Sequence, residues 1–99
     1  MILEHALITI RPDSHAEFES AIAEARAVIS AAPGFLSFAL HRGIESPDRY
    51  LLLVGWESLE AHTVGFRESP AFATWRSHIG PFFASPPAVD HYDPLAGKS

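Results

Sequence analysis

The stretch Tyr50-Leu51-Leu52-Leu53-Val54 constrains this chain more than any other. Successive side chains of a strand point to opposite faces, so a run this apolar leaves neither face for water. Such a strand needs cover on both sides. A chain of 99 residues has a single core to offer. One face can pack on the chain's own helices. The other needs a second source of apolar surface, and a second copy of the chain is the simplest one. A homodimer is therefore expected.

Residues 2–10 repeat the theme. Ile2, Glu4, Ala6, Ile8 and Ile10 share one face of a predicted first strand, and Leu3, His5, Leu7 and Thr9 share the other. Arg11-Pro12-Asp13 turns the chain. Ser14 and Glu17 have the capping-box spacing that starts a helix. Phe18, Ala21, Ile22, Ala25, Val28, Ile29 and Ala32 then recur at helical period. Pro33-Gly34 stops that helix. Phe35 to Glu45 reads as a second strand, with Gly43 a candidate bulge. Ser46-Pro47-Asp48-Arg49 is turn chemistry, which makes a hairpin with a third strand from Arg49 to Glu57. A short helix is expected over 59–66. Ser69-Pro70, a cap residue followed by proline, opens another that Gly80-Pro81 closes. Ala88 to Tyr92 is the last strand. The order β-α-β-β-α-β predicts an α+β, ferredoxin-like fold: a four-stranded antiparallel sheet with helices on one face. One domain is expected over residues 1–93, followed by a flexible C-terminal tail over 94–99.

Composition narrows the function classes. The net charge is −5 with no basic cluster, which argues against nucleic acid or an anionic membrane as partner. No apolar run approaches the roughly 20 residues that span a bilayer. The opening MILEHALITI carries Glu4 and His5 inside its apolar stretch and no basic start, so it reads as a strand and not a secretion signal. Cysteine is absent, which removes disulfide and thiolate chemistry and fits a cytoplasmic protein.

Three features taken together resemble a known family. They are the β-α-β-β-α-β order, the turn Pro33-Gly34-Phe35-Leu36, and the stretch Trp56-Glu57-Ser58-Leu59-Glu60-Ala61-His62. The resemblance is to the antibiotic biosynthesis monooxygenase domain of the dimeric α+β barrel superfamily, over roughly residues 2–92. It implies a homodimer with its two sheets packed face to face, and a pocket in each subunit between sheet and helices. Members include monooxygenases that oxidise quinols and phenolic polyketides without a cofactor, haem-degrading enzymes, and proteins with no assigned activity. The haem-degrading members use an Asn on the first strand, a Trp on the second helix and an iron-binding His. The matching positions here are His5, Phe66 and Arg76, and none keeps the required residue. Haem degradation is therefore disfavoured, and neither metal nor flavin is expected as cofactor.

His5 and His62 are the candidate catalytic residues, because a neutral imidazole can take a phenolic proton near pH 7. By the family analogy His5 faces the helices with Leu3 and Leu7. The bland alternative for His5 is a core histidine with one partner, and for His62 a half-exposed helix histidine. Phe38, Trp56, Phe66, Phe72, Trp75 and Arg76 are the candidate substrate-binding residues. The aromatics suit a flat ring system, and Arg76 an anionic oxygen. Each also has an ordinary role, the aromatics in core or interface and Arg76 on the surface. The six histidines show no HxH or HxxxH spacing that would favour a metal. No nucleophile elbow or glycine-rich phosphate loop is present. The expected function is oxygenation of a phenol or hydroquinone, with His5 as base and His62 assisting. The rival is a small-molecule-binding or accessory protein with the same pocket and no catalysis.

Overall fold

The computed structural model describes residues 1–96. Four strands form one antiparallel sheet: β1 (Ile2–Thr9), β2 (Phe35–Arg42), β3 (Arg49–Trp56) and β4 (Ala88–Tyr92). Their order across the sheet is β2-β3-β1-β4. Helix α1 (His15–Ser30) joins β1 to β2, and α2 (Pro70–Ile79) lies between β3 and β4. This is the ferredoxin-like arrangement. Residues 97–99 of the expected tail lie outside the described residues.

Local chemistry explains most boundaries. Ser14 occupies the N-cap of α1, but its hydroxyl makes no cap bond and instead reaches the Pro12 carbonyl at 3.4 Å. The capping box marks the start of the helix without forming. Gly34 has φ of 86°, the left-handed region where a side chain is strained. The bulge expected at Gly43 does not occur; β2 ends at Arg42, and its register shift lies between Phe35 and Ser37. The short helix after β3 is a π-helix, Ala61–Phe66, entered through Leu59 and Glu60. Its wide turn is visible in the Arg67 N–H bonded to the His62 carbonyl at 3.0 Å. Such turns are rare and concentrate at functional sites. Proline at the first position of α2 costs nothing there, since that N–H has no helical partner.

The core lies between one sheet face and the two helices. Ala6 and Ile8 of β1, and Ile10 just after it, meet Tyr50, Leu52, Val54 and Trp56 of β3, under Phe18, Ile22 and Ile29 of α1 and Trp75 and Ile79 of α2. The register puts Glu4 between Val54 and His91 on that same face. The opposite face carries Leu3, His5, Leu7, Leu51 and Leu53, with Ala39 opposite Leu53 and Tyr92 opposite Leu3. Those residues are half-buried or exposed, and both helices lie on the other side. The strands are thus apolar on both sides, as their sequences require.

Candidate active site

Glu4 and His62 are the buried polar or charged side chains of the core, 6% and 3% exposed. Burying such groups is costly unless they are partnered, and these partner each other. The Trp56 indole N–H donates to Glu4 Oε1 at 3.0 Å. His62 Nε2 stands 3.3 Å from the same oxygen. His62 Nδ1 lies 2.8 Å from His91 Nε2. The His62 ring also stacks on Trp56, with centroids 5.2 Å apart and planes 16° from parallel. Each contact follows from the fold. Glu4 and His91 are cross-strand neighbours, Trp56 ends β3 beside them, and the π-turn lays His62 over all three.

The electrostatics follow from burial. Desolvation pushes the Glu4 carboxyl above its ordinary 4.5, opposed by the Trp56 hydrogen bond and the positive charge of Arg67. Desolvation pushes His62 down to about 4, assisted by Arg67 and then His91. His91 is lowered as well, by burial and Arg67, against the pull of Asp90. The 3.3 Å Glu4–His62 contact is within ion-pair distance. At neutral pH it is nevertheless a neutral imidazole beside a carboxyl, because burial and the nearby charge of Arg67 disfavour an imidazolium.

These groups open onto a cavity of about 370 Å³ between the sheet and α2. Its floor is apolar, formed by Ala6, Ile8 and Leu52, and its walls are Phe66, Phe72, Trp75 and Phe83. Arg67 and Arg76 complete the lining, and neither forms a salt bridge among the described residues. The Arg76 guanidinium lies 5.9 Å from the Phe72 ring and 5.8 Å from the Phe83 ring, a cation–π position between them. A volume of this size suits a small aromatic molecule.

Of the residues expected from sequence, His62, Phe66, Phe72, Trp75 and Arg76 line this cavity. Trp56 sits behind it, buried, and touches its lining through Glu4, His62 and Phe66. Phe38 does not line it. That ring packs edge-on against Trp75 at 6.3 Å and borders a separate depression beside α1. His5 must be corrected outright. It lies on the face of β1 opposite the helices, with its ring against Tyr92 at 5.3 Å, and has no access to the cavity. The assignment took Leu3, His5 and Leu7 as the helix-facing set. The helices take the Glu4, Ala6 and Ile8 set instead. Glu4, Arg67 and His91 were missed. Glu4 had a signal, since it shares parity with Ala6, Ile8 and Ile10; His91 had none beyond its alternation with Val89.

Among the described residues no group of three or more His, Cys, Asp or Glu side chains is arranged to hold a metal ion. No helix among them is long and apolar enough to cross a membrane.

Comparison with known proteins is consistent across sequence and structure. The family model for antibiotic biosynthesis monooxygenases matches residues 1–77. The Bacillus subtilis protein YczJ, itself uncharacterised, is 37% identical over 92 residues, covering 93% of this chain and 97% of its own. A crystal structure from Bordetella bronchiseptica, provisionally assigned as an antibiotic biosynthesis monooxygenase, is 43% identical. It superposes with a TM-score of 0.93 over 96% of this chain and 97% of its own. A mutant of MhuD carrying two manganese protoporphyrin IX molecules per active site superposes with a TM-score of 0.82, over 100% of this chain and 99% of its own. At 23% identity that likeness concerns the fold alone.

Proposed function

Because the chain belongs to the antibiotic biosynthesis monooxygenase family, we propose that it oxygenates a phenolic or quinol aromatic within the cavity, drawing the electrons from the substrate itself. The observation that carries this reading is the buried Glu4–His62 pair in an aromatic-walled cavity with an apolar floor. A carboxyl raised by burial is a stronger base than an ordinary carboxylate once ionised, and a ready acid once protonated. Glu4 takes the place that sequence reasoning gave to His5, and His62 assists it. Haem degradation stays disfavoured on the residue grounds given above.

The reaction balances with dioxygen as the only co-reactant. The Glu4 carboxylate takes the phenolic proton. The phenolate gives one electron to dioxygen, and the phenoxyl radical and superoxide join at the ring carbon para to the oxygen. Glu4 returns its proton to the resulting peroxide. The carboxylate then removes the hydrogen from that carbon as the O–O bond breaks, and hydroxide leaves with the proton as water. Phenol and dioxygen thereby become quinone and water. The protein supplies orientation, a dry site and a proton acceptor. A second copy of the chain, covering the Leu3, Leu51 and Leu53 face, is the expected partner.

A panel of phenols, naphthols and naphthoquinols with a hydrogen on the ring carbon para to a hydroxyl, under ¹⁸O₂ with chelator present, tests this. One labelled oxygen in the product is expected. Glu4→Gln should lower the rate by about 10²–10⁴-fold while ligand still quenches tryptophan fluorescence. Binding without turnover across the panel would leave a small-molecule-binding protein.

A further inference from the structure

We infer that Glu4, His62 and His91 form a proton relay that joins the carboxyl facing the cavity to solvent at the β4 edge of the sheet. The need arises from burial. Glu4 is 6% exposed and borders the cavity, so a ligand that fills the cavity cuts it off from water. Any proton it exchanges with solvent then has to pass through the protein.

The hydrogen count gives the route. Only one of the two nitrogens facing each other at 2.8 Å, His62 Nδ1 and His91 Nε2, carries the shared hydrogen. With Glu4 ionised, His62 donates from Nε2 to Glu4, and its Nδ1 accepts from His91 Nε2–H. With Glu4 protonated, Glu4 donates to His62 Nε2, and His62 Nδ1–H donates to His91 Nε2. The second state follows from the first when one proton enters at His91 Nδ1 and two hydrogens each move one step inward. One solvent proton is consumed, one carboxylate becomes a carboxylic acid, and both rings are neutral before and after.

The outer end of the path is open. His91 Nδ1 has no hydrogen-bond partner among the described residues, and among them no buried side-chain nitrogen or oxygen lacks a partner. His91 Nδ1 therefore reaches water. The surrounding charges suit neutral rings. Arg67 disfavours an imidazolium at both histidines, Asp90 acts on His91 in the opposite sense, and Trp56 donates to Glu4. The contact of 3.3 Å between His62 and Glu4 is the longer step: it is at ion-pair distance without hydrogen-bond geometry, so the His62 ring has to reorient for the hydrogen to pass.

The relay stands apart from the oxygenation cycle, in which Glu4 exchanges its protons with the substrate alone, and its existence is tested without turnover. In ligand-free protein labelled with ¹⁵N and ¹³C, the Glu4 carboxyl carbon reports its protonation, and the ring nitrogens report the tautomers. As Glu4 takes its proton, His62 should switch from Nε2–H to Nδ1–H, and His91 from Nε2–H to Nδ1–H, at the same midpoint. In His91→Asn, with an unchanged melting transition, Glu4 should still titrate while that joint switch is lost. Tautomers that stay fixed while Glu4 titrates would overturn the relay, whatever the protein does to a quinol. A joint switch in a protein that oxidises none of the panel would keep the relay and discard the monooxygenase reading.

Discussion

Glu4 and His62 answer pH in opposite senses. The unfolded chain protonates His62 near 6.5, while the folded protein refuses that proton until about 4. The stability His62 contributes is thus complete above 6.5 and is lost as pH falls to 4, in total about 3 kcal/mol at about 1.4 kcal/mol per pH unit. Glu4 runs the other way. Its folded value lies above 4.5, so its contribution is complete below 4.5 and is lost as pH rises through the folded value. In the parent protein the two terms offset each other. Glu4→Gln should therefore steepen the loss of stability on acidification, whereas His62→Gln should flatten or reverse it. Urea midpoints of both variants and the parent between about pH 4 and 7 check this, and parallel curves would refute it. Trp56→Phe removes the indole donor that, with the charge of Arg67, opposes the rise of Glu4. It should raise the Glu4 midpoint further and lower stability by about 1–3 kcal/mol, read from the same titration and melts.

The elements around the site are tied together at two places. Gly34 ends the turn after α1, and a Cβ built on it would stand 2.7 Å from the Ala61 Cβ, the residue before His62. Gly34→Ala therefore meets both a positive φ and a clash with the π-turn. It should cost about 1–3 kcal/mol and disturb His62, and adding Ala61→Gly should recover only the clash. At the other end, Tyr50 of β3 donates to Glu19 of α1 at 2.6 Å and lies 2.9 Å from His15 Nδ1, while His15 Nε2 is 2.9 Å from Asp48. Burial first, then Glu19, pushes the Tyr50 hydroxyl up to about 12, so it stays a donor at any ordinary pH. Tyr50→Phe should lower the unfolding free energy by about 1–3 kcal/mol without altering the cavity, since the cluster lies at the far end of β3. Little of this was legible in the sequence. Tyr50 read as one more apolar strand residue, because its hydroxyl partners lie 31 and 35 positions away.

For the molecule as a whole, the second sheet face carries the expectation of a dimer. Leu51 and Leu53 stand at the centre of that face, beside Leu7, His5 and Ala39. Obligate interfaces bury about 2,000 Å² or more, and a flat four-stranded face is a suitable surface for one. Light scattering at micromolar concentration should find a dimer. Leu53→Glu sets a charge in the middle of that face and should shift the protein to monomer or lower its melting temperature in a concentration-dependent way. A parent protein that is already monomeric would leave the doubly apolar strands without an account.

The sequence by itself determined the element order, the strand and helix positions to within a few residues, and the apolar character of both sheet faces. Alternation, period and turn residues are local signals, and they act within a few positions. It also selected five of the cavity residues, because His62, Phe66, Phe72, Trp75 and Arg76 lie on the short helical elements that roof the sheet. Only the tertiary structure decided which face of β1 lies beneath those helices. Alternation divides a strand into two sets without saying which set is inside, and here both sets are largely apolar, so hydrophobicity could not choose between Glu4 and His5. The pairing of β1 between β3 and β4 made the choice, with α1 and α2 crossing on one side. The same packing brought His91 to His62 across 29 residues of sequence, a meeting that no local pattern encodes because its two residues come from separate elements.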